Sequence, residues 1–295
     1  MGGRASPTTP PDVLGLFGPT ASGKTAVARA LAARIPAELV SADSMQVYRG
    51  LPVLTNQDAD ARLVGIWPLD RQGSVGEFQT LAHAAIDEIV SAGRTAVVVG
   101  GSGLWFQAAL TDVRLPADVP TGARDRWERL YDRRGAETAH RLLALRDPRA
   151  AARVHPNDRK RVVRALELWE AGTTLVPERS ELWSAPLRLP TAVLGLEVPP
   201  PVLAARIEMR ARAMFEQGVE EEVRAAGAVV PQVLGLEAVR SLPREEAVAE
   251  IVRATRRLAA YQRKWMRRIP GIVMIDGDRP PGVIADEILE VARAR

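Results

Sequence analysis

Four residues near the start have the types and spacing to hold a phosphate chain. Gly18, Gly23, Lys24 and Thr25 satisfy G-x-x-x-x-G-K-[ST] within GLFGPTASGKT. The whole loop, Gly18, Pro19, Thr20, Ala21, Ser22, Gly23, Lys24 and Thr25, follows an apolar run and precedes a helical pattern. That context gives the motif its meaning. The glycines let successive backbone N–H groups converge, and the helix N-terminus adds positive potential. Lys24 supplies a point charge and Thr25 a hydroxyl for Mg²⁺. The expected chemistry is the binding of a di- or triphosphate. The loop does not say which, and an ordinary glycine turn is the bland alternative.

Loops of this kind in ATPases and GTPases work with an acid ending a second apolar strand. The best such strand here, TAVVVG (95–100), runs into GGSGLW with no carboxylate. The acid stands instead at Asp43, directly after AELVSA (37–42). In a doubly wound sheet the C-terminal strand ends share one crevice, so Asp43 is expected to face the loop across it. A helix cap or a solvated loop acid is the competing reading.

The elements that must position these groups alternate. Strands are expected at 13–17, 37–42, 95–100, 191–198 and 272–276, with helices at about 24–34, 76–92, 201–226 and 245–268. Strands separated by helices imply right-handed crossovers and a mainly parallel sheet covered on both faces. Residues 114–190, bounded by the Pro-rich RLPADVP and SAPLRLP, break the alternation and read as a helical insertion. The core is thus expected at 13–113 and 191–295, behind a disordered tail at 1–12.

The chain has 295 residues, 46 % hydrophobic and 26 % charged, a globular composition. It contains no cysteine, which excludes disulfides, thiolate metal sites and a thiol nucleophile. MGGRASPTTPPD lacks the apolar core of a signal peptide. No apolar run is long enough to span a bilayer. A cytoplasmic protein without a membrane partner is expected. Net charge is only +4, so the arrangement of the bases matters more than their number. Three Tyr and four Phe leave little for an aromatic base-stacking platform.

Two clusters of bases stand out. Arg159, Lys160, Arg161 and Arg164 lie on a helical pattern whose other face carries Val162, Val163, Leu166 and Trp169. From Arg253 to Arg268 there are seven bases and no acid. Such a stripe repels itself unless a polyanion lies against it, although a solvated face is the commoner meaning of a charge run. Arg206 and Arg210, four apart, share one helical face.

Six blocks together resemble one family, the tRNA dimethylallyltransferases, also called tRNA isopentenyltransferases. They are GPTASGKT; SADSMQVYRG (41–50); VVGGSGLWFQAAL (98–110), similar to the family's GGTGLY segment; HPNDRKRVVRALELWEAG (155–172); LAARIEMRARAMFEQGVEEEV (203–223); and TRRLAAYQRKWMR (255–267). They occur in family order across nearly the whole chain. The resemblance implies a P-loop NTPase-like α/β fold with a helical insertion. It also implies transfer of a dimethylallyl group from dimethylallyl diphosphate to the exocyclic amine of an adenine beside a tRNA anticodon. The partners so implied are the tRNA anticodon arm and dimethylallyl diphosphate, with Mg²⁺ as cofactor and a monomer as the working form. The donor's diphosphate would occupy the loop in place of ATP. Asp43 matches the family's base, Thr25 the hydroxyl that meets diphosphate or metal, and Arg210 the diphosphate arginine. Asp43, Ser44, Met45, Gln46 and Ser102 match positions that meet the adenine and its neighbours. Lys160, Arg161, Val162, Val163 and Arg164 match a tRNA-contacting segment.

The sequence also departs from the family. LPVLTNQDADA (51–61) replaces GTAKP, VGIWPLD replaces HHLID, and LGLEA (234–238) replaces IGYKE. Ala260 and Tyr261 stand where the family often has two bases. These changes touch RNA docking more than the diphosphate site. They leave open prenylation of a free adenine nucleotide and a non-catalytic RNA-binding relic, while the phosphate loop with an acid ending the next strand also suits a small-metabolite kinase.

Overall fold

The computed structural model describes residues 11–115, 119, 122–176, 184–229 and 231–294. The expected tail therefore lies outside the described residues except at 11 and 12, where Asp12 O accepts from Ala96 N–H at 2.9 Å. The described residues form two compact units. One runs up to Val113 and resumes at Ala185, and the other spans Arg114–Ser184.

The first unit is the P-loop NTPase-like α/β core. Its strands are β1 (Val13–Phe17), β2 (Ala37–Ser41), β3 (Thr95–Gly100), β4 (Thr191–Glu197) and β5 (Val273–Asp276). They form a fully parallel sheet in the order β2-β3-β1-β4-β5. Helices on both faces explain why β1 and β3 read as unbroken apolar runs. The helices before the insertion are α1 (Lys24–Ala32), α2 (Pro52–Thr55), α3 (Val75–Ser91) and α4 (Gly103–Leu110). A core of Leu14, Leu16, Val27, Leu31, Leu194 and Ile288 covers one face. On the other, α4 comes close to β1 because position 15 is glycine. A Cβ there would sit 3.0 Å from both Leu110 Cδ1 and Phe106 Cζ.

The second unit is helical, with α5 (Ala123–Arg134), α6 (Ala136–Arg146), α7 (Pro148–Ala151) and α8 (Arg159–Glu170). Leu143, Val154, Val162 and Leu166 form its core. One carboxylate inside it organises two arginines. Glu167 is fully buried and accepts from Arg124 Nε at 3.0 Å and Arg164 Nη1 at 2.9 Å.

After the insertion the core resumes with α9 (Pro200–Glu216), α10 (Val219–Ala225), α11 (Leu236–Ser241), α12 (Arg244–Met266) and α13 (Pro281–Arg293). The single helix expected at 201–226 is two. Gly218 at φ 85° takes the left-handed conformation that ends α9 and caps the start of α10. The amphipathic α13 and the short α2, α4 and α11 were not anticipated. Met214, Phe215, Val219, Leu236 and Ile251 join Leu51 and Leu54 in a second apolar cluster that ties α2 to α9–α12. Glu222 fixes this arrangement by accepting from Val53 N–H at 2.7 Å and Leu54 N–H at 2.8 Å. Its carboxylate thus caps α2, in the segment that departs from the family pattern.

Replacing Glu167 by Leu leaves Arg124 and Arg164 without their shared anion. The unfolding free energy should fall by about 1–3 kcal/mol, because both arginines keep partial access to water. Denaturant titration of the full chain measures this; an unchanged midpoint would show that the ion cluster is not structural.

Candidate active site

The parallel sheet brings the C-terminal ends of β1, β3 and β2 to one edge, where the predicted chemistry collects. The loop leaves β1 at Gly18 and re-enters helix at Lys24. Ala21 and Gly23 are both left-handed, at φ 63° and 88°. Such reversals turn successive N–H groups to one side and make an anion nest. Gly23 precedes α1, whose first turn carries no acid, so its positive end is left uncompensated.

A cavity of about 360 Å³ opens beside the loop. Thr20, Ala21, Gly23, Lys24 and Thr25 line it, and so do Asp43 and Arg210. Lys24 Nζ donates to Pro19 O at 2.7 Å. Withdrawal of its ammonium from water pushes its pKa down to about 8; Asp43 opposes this shift and Arg210 adds to it. Burial also lowers the pKa of Arg210, against the attraction of Asp43. Arg210 Nη1 donates to Thr20 Oγ1 at 3.1 Å, while its buried Nε has no partner among the described residues. Two desolvated cations thus face one acid. The imbalance favours an anionic ligand.

The apolar wall is as definite as the polar one. Ile207, Ala211, Met214, Leu234, Ile251 and Leu258 line the same cavity. They come from α9, α12 and the segment before α11. A ligand with an anionic head and a short hydrocarbon tail matches both walls.

Asp43 sits just past β2. Its Oδ1 accepts from Met45 N–H at 2.9 Å, which fixes the carboxylate, and its other oxygen has no hydrogen bond among the described residues. Ser44 and Ser102 meet, with their hydroxyls 3.1 Å apart. Asp43, Ser44, Met45 and Ser102 are therefore gathered at the edge that bears the loop. Among the described residues no group of three or more His, Cys, Asp or Glu converges. The cavity offers instead the Thr25 hydroxyl. A single hard oxygen suits an ion such as Mg²⁺, which keeps waters and shares substrate phosphates rather than filling an all-protein cage.

The geometry shows how several of the expected contact residues are already engaged. Gln46 lines the cavity, but its amide is already engaged. Oε1 accepts from Ser41 Oγ at 2.8 Å, and Nε2 donates to Asn56 O at 2.6 Å. It braces the loop after α2. Val162 and Val163 are buried, so neither side chain offers a surface to RNA. Arg164 is bound to Glu167 within its own helix. Lys160 and Arg161 remain exposed. Arg206 also lines the cavity, but its guanidinium donates to Asp278 at 2.8 Å, whereas Arg210 is bonded to the loop itself through Thr20.

The stripe on α12 is less bare than its sequence. Glu250 pairs with Arg253 and Arg257, Glu208 lies 3.8 Å from Arg256, and Glu197 lies 3.9 Å from Arg263. Lys264, Arg267 and Arg268 remain exposed at its C-terminal end. Gln262 lies within the family-like block TRRLAAYQRKWMR but has no charge and was given no site role from sequence. It is buried, lines the cavity, and accepts the Thr20 N–H at 2.7 Å.

The family profile described as IPP transferase matches residues 46–269. A tRNA dimethylallyltransferase of Corynebacterium jeikeium is 38 % identical over 292 residues, covering 92 % of this chain and 94 % of the relative. The crystal structure of a tRNA isopentenylpyrophosphate transferase from Bacillus halodurans aligns with a TM-score of 0.65 at 29 % identity, over 96 % of this chain and 98 % of that one. A eukaryotic dimethylallyltransferase acting on tRNA aligns with a TM-score of 0.72 at 25 % identity, over 90 % and 73 %. With a family profile matching residues 46–269 and a relative 38 % identical along almost its full length, this chain belongs to the IPP transferase family.

Proposed function

We propose that the chain transfers a dimethylallyl group from dimethylallyl diphosphate to the N6 amine of an adenine beside the anticodon of a tRNA, releasing diphosphate. The observation that carries this reading is the single cavity in which Lys24 and Arg210 face Asp43 beneath an apolar wall. A kinase would place a nucleoside triphosphate there. The Ile207, Met214 and Leu258 surface suits a five-carbon tail instead, and β3 ends without a metal-binding acid. The names of the relatives point the same way.

The proposed step follows from the residues. The allylic C–O bond breaks, leaving its electron pair on the diphosphate, while the adenine nitrogen forms the new C–N bond. Loop N–H groups, Lys24 and Arg210 stabilise the charge that develops on the departing diphosphate. Mg²⁺, held by Thr25 and the diphosphate oxygens, would supply further charge neutralisation there. The amine becomes acidic as the C–N bond forms, and Asp43 accepts its proton. Withdrawal from water makes both stabilisation and proton transfer more effective. The adenine must leave its stack to reach this point. Ser44 and Ser102 stand beside Asp43 to receive it, and the exposed Lys264, Arg267 and Arg268, with Lys160 and Arg161, suit phosphate contacts. The working form is taken to be a cytoplasmic monomer; a chain without cysteine is compatible with that reducing compartment.

Incubation with dimethylallyl diphosphate, Mg²⁺ and anticodon-arm RNA should give a prenylated adenine, detected by mass spectrometry of the nucleosides. Asp43→Ala should slow transfer by about 10²–10⁴-fold and leave diphosphate binding nearly intact. Absence of transfer to several adenine-bearing arms would contradict the reading, and unchanged turnover would remove Asp43 from its role.

The lowered pKa of Lys24 gives a second expectation. Below about pH 8 the free chain carries the charged ammonium; above it the proton must be taken up on binding. Dimethylallyl diphosphate affinity should therefore fall as pH rises through 8. Lys24→Arg, which stays charged, should move that fall out of the range. A flat wild-type profile between pH 7 and 10, followed by calorimetry, would contradict the assignment.

A further inference from the structure

Thr20 is the junction of the phosphate loop with two distant helices. Its hydroxyl accepts from Arg210 Nη1 on α9 at 3.1 Å, and its backbone N–H donates to Gln262 Oε1 on α12 at 2.7 Å. The second bond crosses 242 positions of sequence. Its polarity is forced: only an oxygen can accept from an N–H, so Nε2 must occupy the other end of the amide. Gly101 leaves room for that end, since a Cβ there would sit 2.5 Å from Nε2 and 2.9 Å from Gly18 O. Gln262 is thus a buried polar group held between the ends of β1 and β3, with part of its surface on the cavity.

We infer that Gln262 is a positioning residue of the diphosphate site, fixing Thr20 so that its hydroxyl aims Arg210 into the cavity. The inference rests on the diphosphate reading above. A bond from a loop N–H to a protein oxygen removes one donor from the anion nest, so its presence costs the nest a contact. What it provides in return is orientation. Without it the loop at Thr20 can turn, and Arg210 loses its only hydrogen-bond partner among the described residues. A guanidinium so released keeps its charge but not its direction, and directed charge is what stabilises a leaving diphosphate.

The test is a double-mutant cycle on dimethylallyl diphosphate binding, measured by calorimetry on the full chain. Gln262→Leu preserves volume and removes the acceptor. It should weaken binding by about tenfold or more, in line with loss of an orienting bond to a charged site, while anticodon-arm RNA affinity and melting temperature stay near wild type. Arg210→Leu should weaken binding further, yet adding Gln262→Leu to it should cost little more, because the two act through one path. Additive losses, or wild-type affinity in Gln262→Leu, would overturn the inference. Gln262→Asn, one methylene too short to reach Thr20, should behave as the Leu variant does and stands in for it if that one fails to fold. Failure of the wild-type chain to bind the prenyl diphosphate would instead overturn the reading on which this inference rests.

Discussion

The structure turns on uncompensated positive charge held out of water. Lys24, Arg210 and the start of α1 converge on one cavity against a single carboxylate, Asp43. Desolvation makes such an arrangement costly in the empty protein and favourable when a polyanion completes it. The parallel sheet makes it possible, because three strand ends deliver the loop, the acid and Ser102 to the same edge. The rest of the core serves to keep these charges fixed.

That fixing is done by contacts between segments far apart in sequence. The carboxylate of Glu222 holds α2, whose Leu54 and Thr55 line the cavity. Gln46 then binds the carbonyl of Asn56 and keeps the following turn in place. The segment 51–61, which departs from the family's pattern, is therefore not a loosened remnant at its start. It is capped by a charge and packed through Leu51 and Leu54.

How much of this could be read in the sequence depended on whether the signal was local. The phosphate loop was legible because its glycines, lysine and threonine act within eight residues. The strands were legible because a sheet covered on both faces writes itself as apolar runs. Asp43 was legible through its place at a strand end. The role of Gln262 was not: its block resembles the family's last helix, but the contact with Thr20 that gives the amide a role forms only on folding. The bases of α12 are less bare than their stretch of sequence for the same reason. No acid lies among them, yet Glu197, Glu208 and Glu250 reach them in space or from the preceding turn. Val162 and Val163 sit within a basic segment whose helix turns them inward, and Arg164 answers to Glu167 three residues on. The break between α9 and α10 carried a local sign, Gly218, which outweighs the helical periodicity on either side.

The central claim concerns orientation: diphosphate in the loop, hydrocarbon against Ile207 and Met214, reacting carbon toward Asp43. A crystal structure with a sulfur-bridged, slowly reacting analogue of dimethylallyl diphosphate tests it most directly. The account predicts phosphate oxygens within hydrogen-bond distance of Lys24 Nζ and Arg210, and the allylic carbon on the side of Asp43. An analogue seated outside the loop, or bound with its hydrocarbon turned away from that carboxylate, would contradict it.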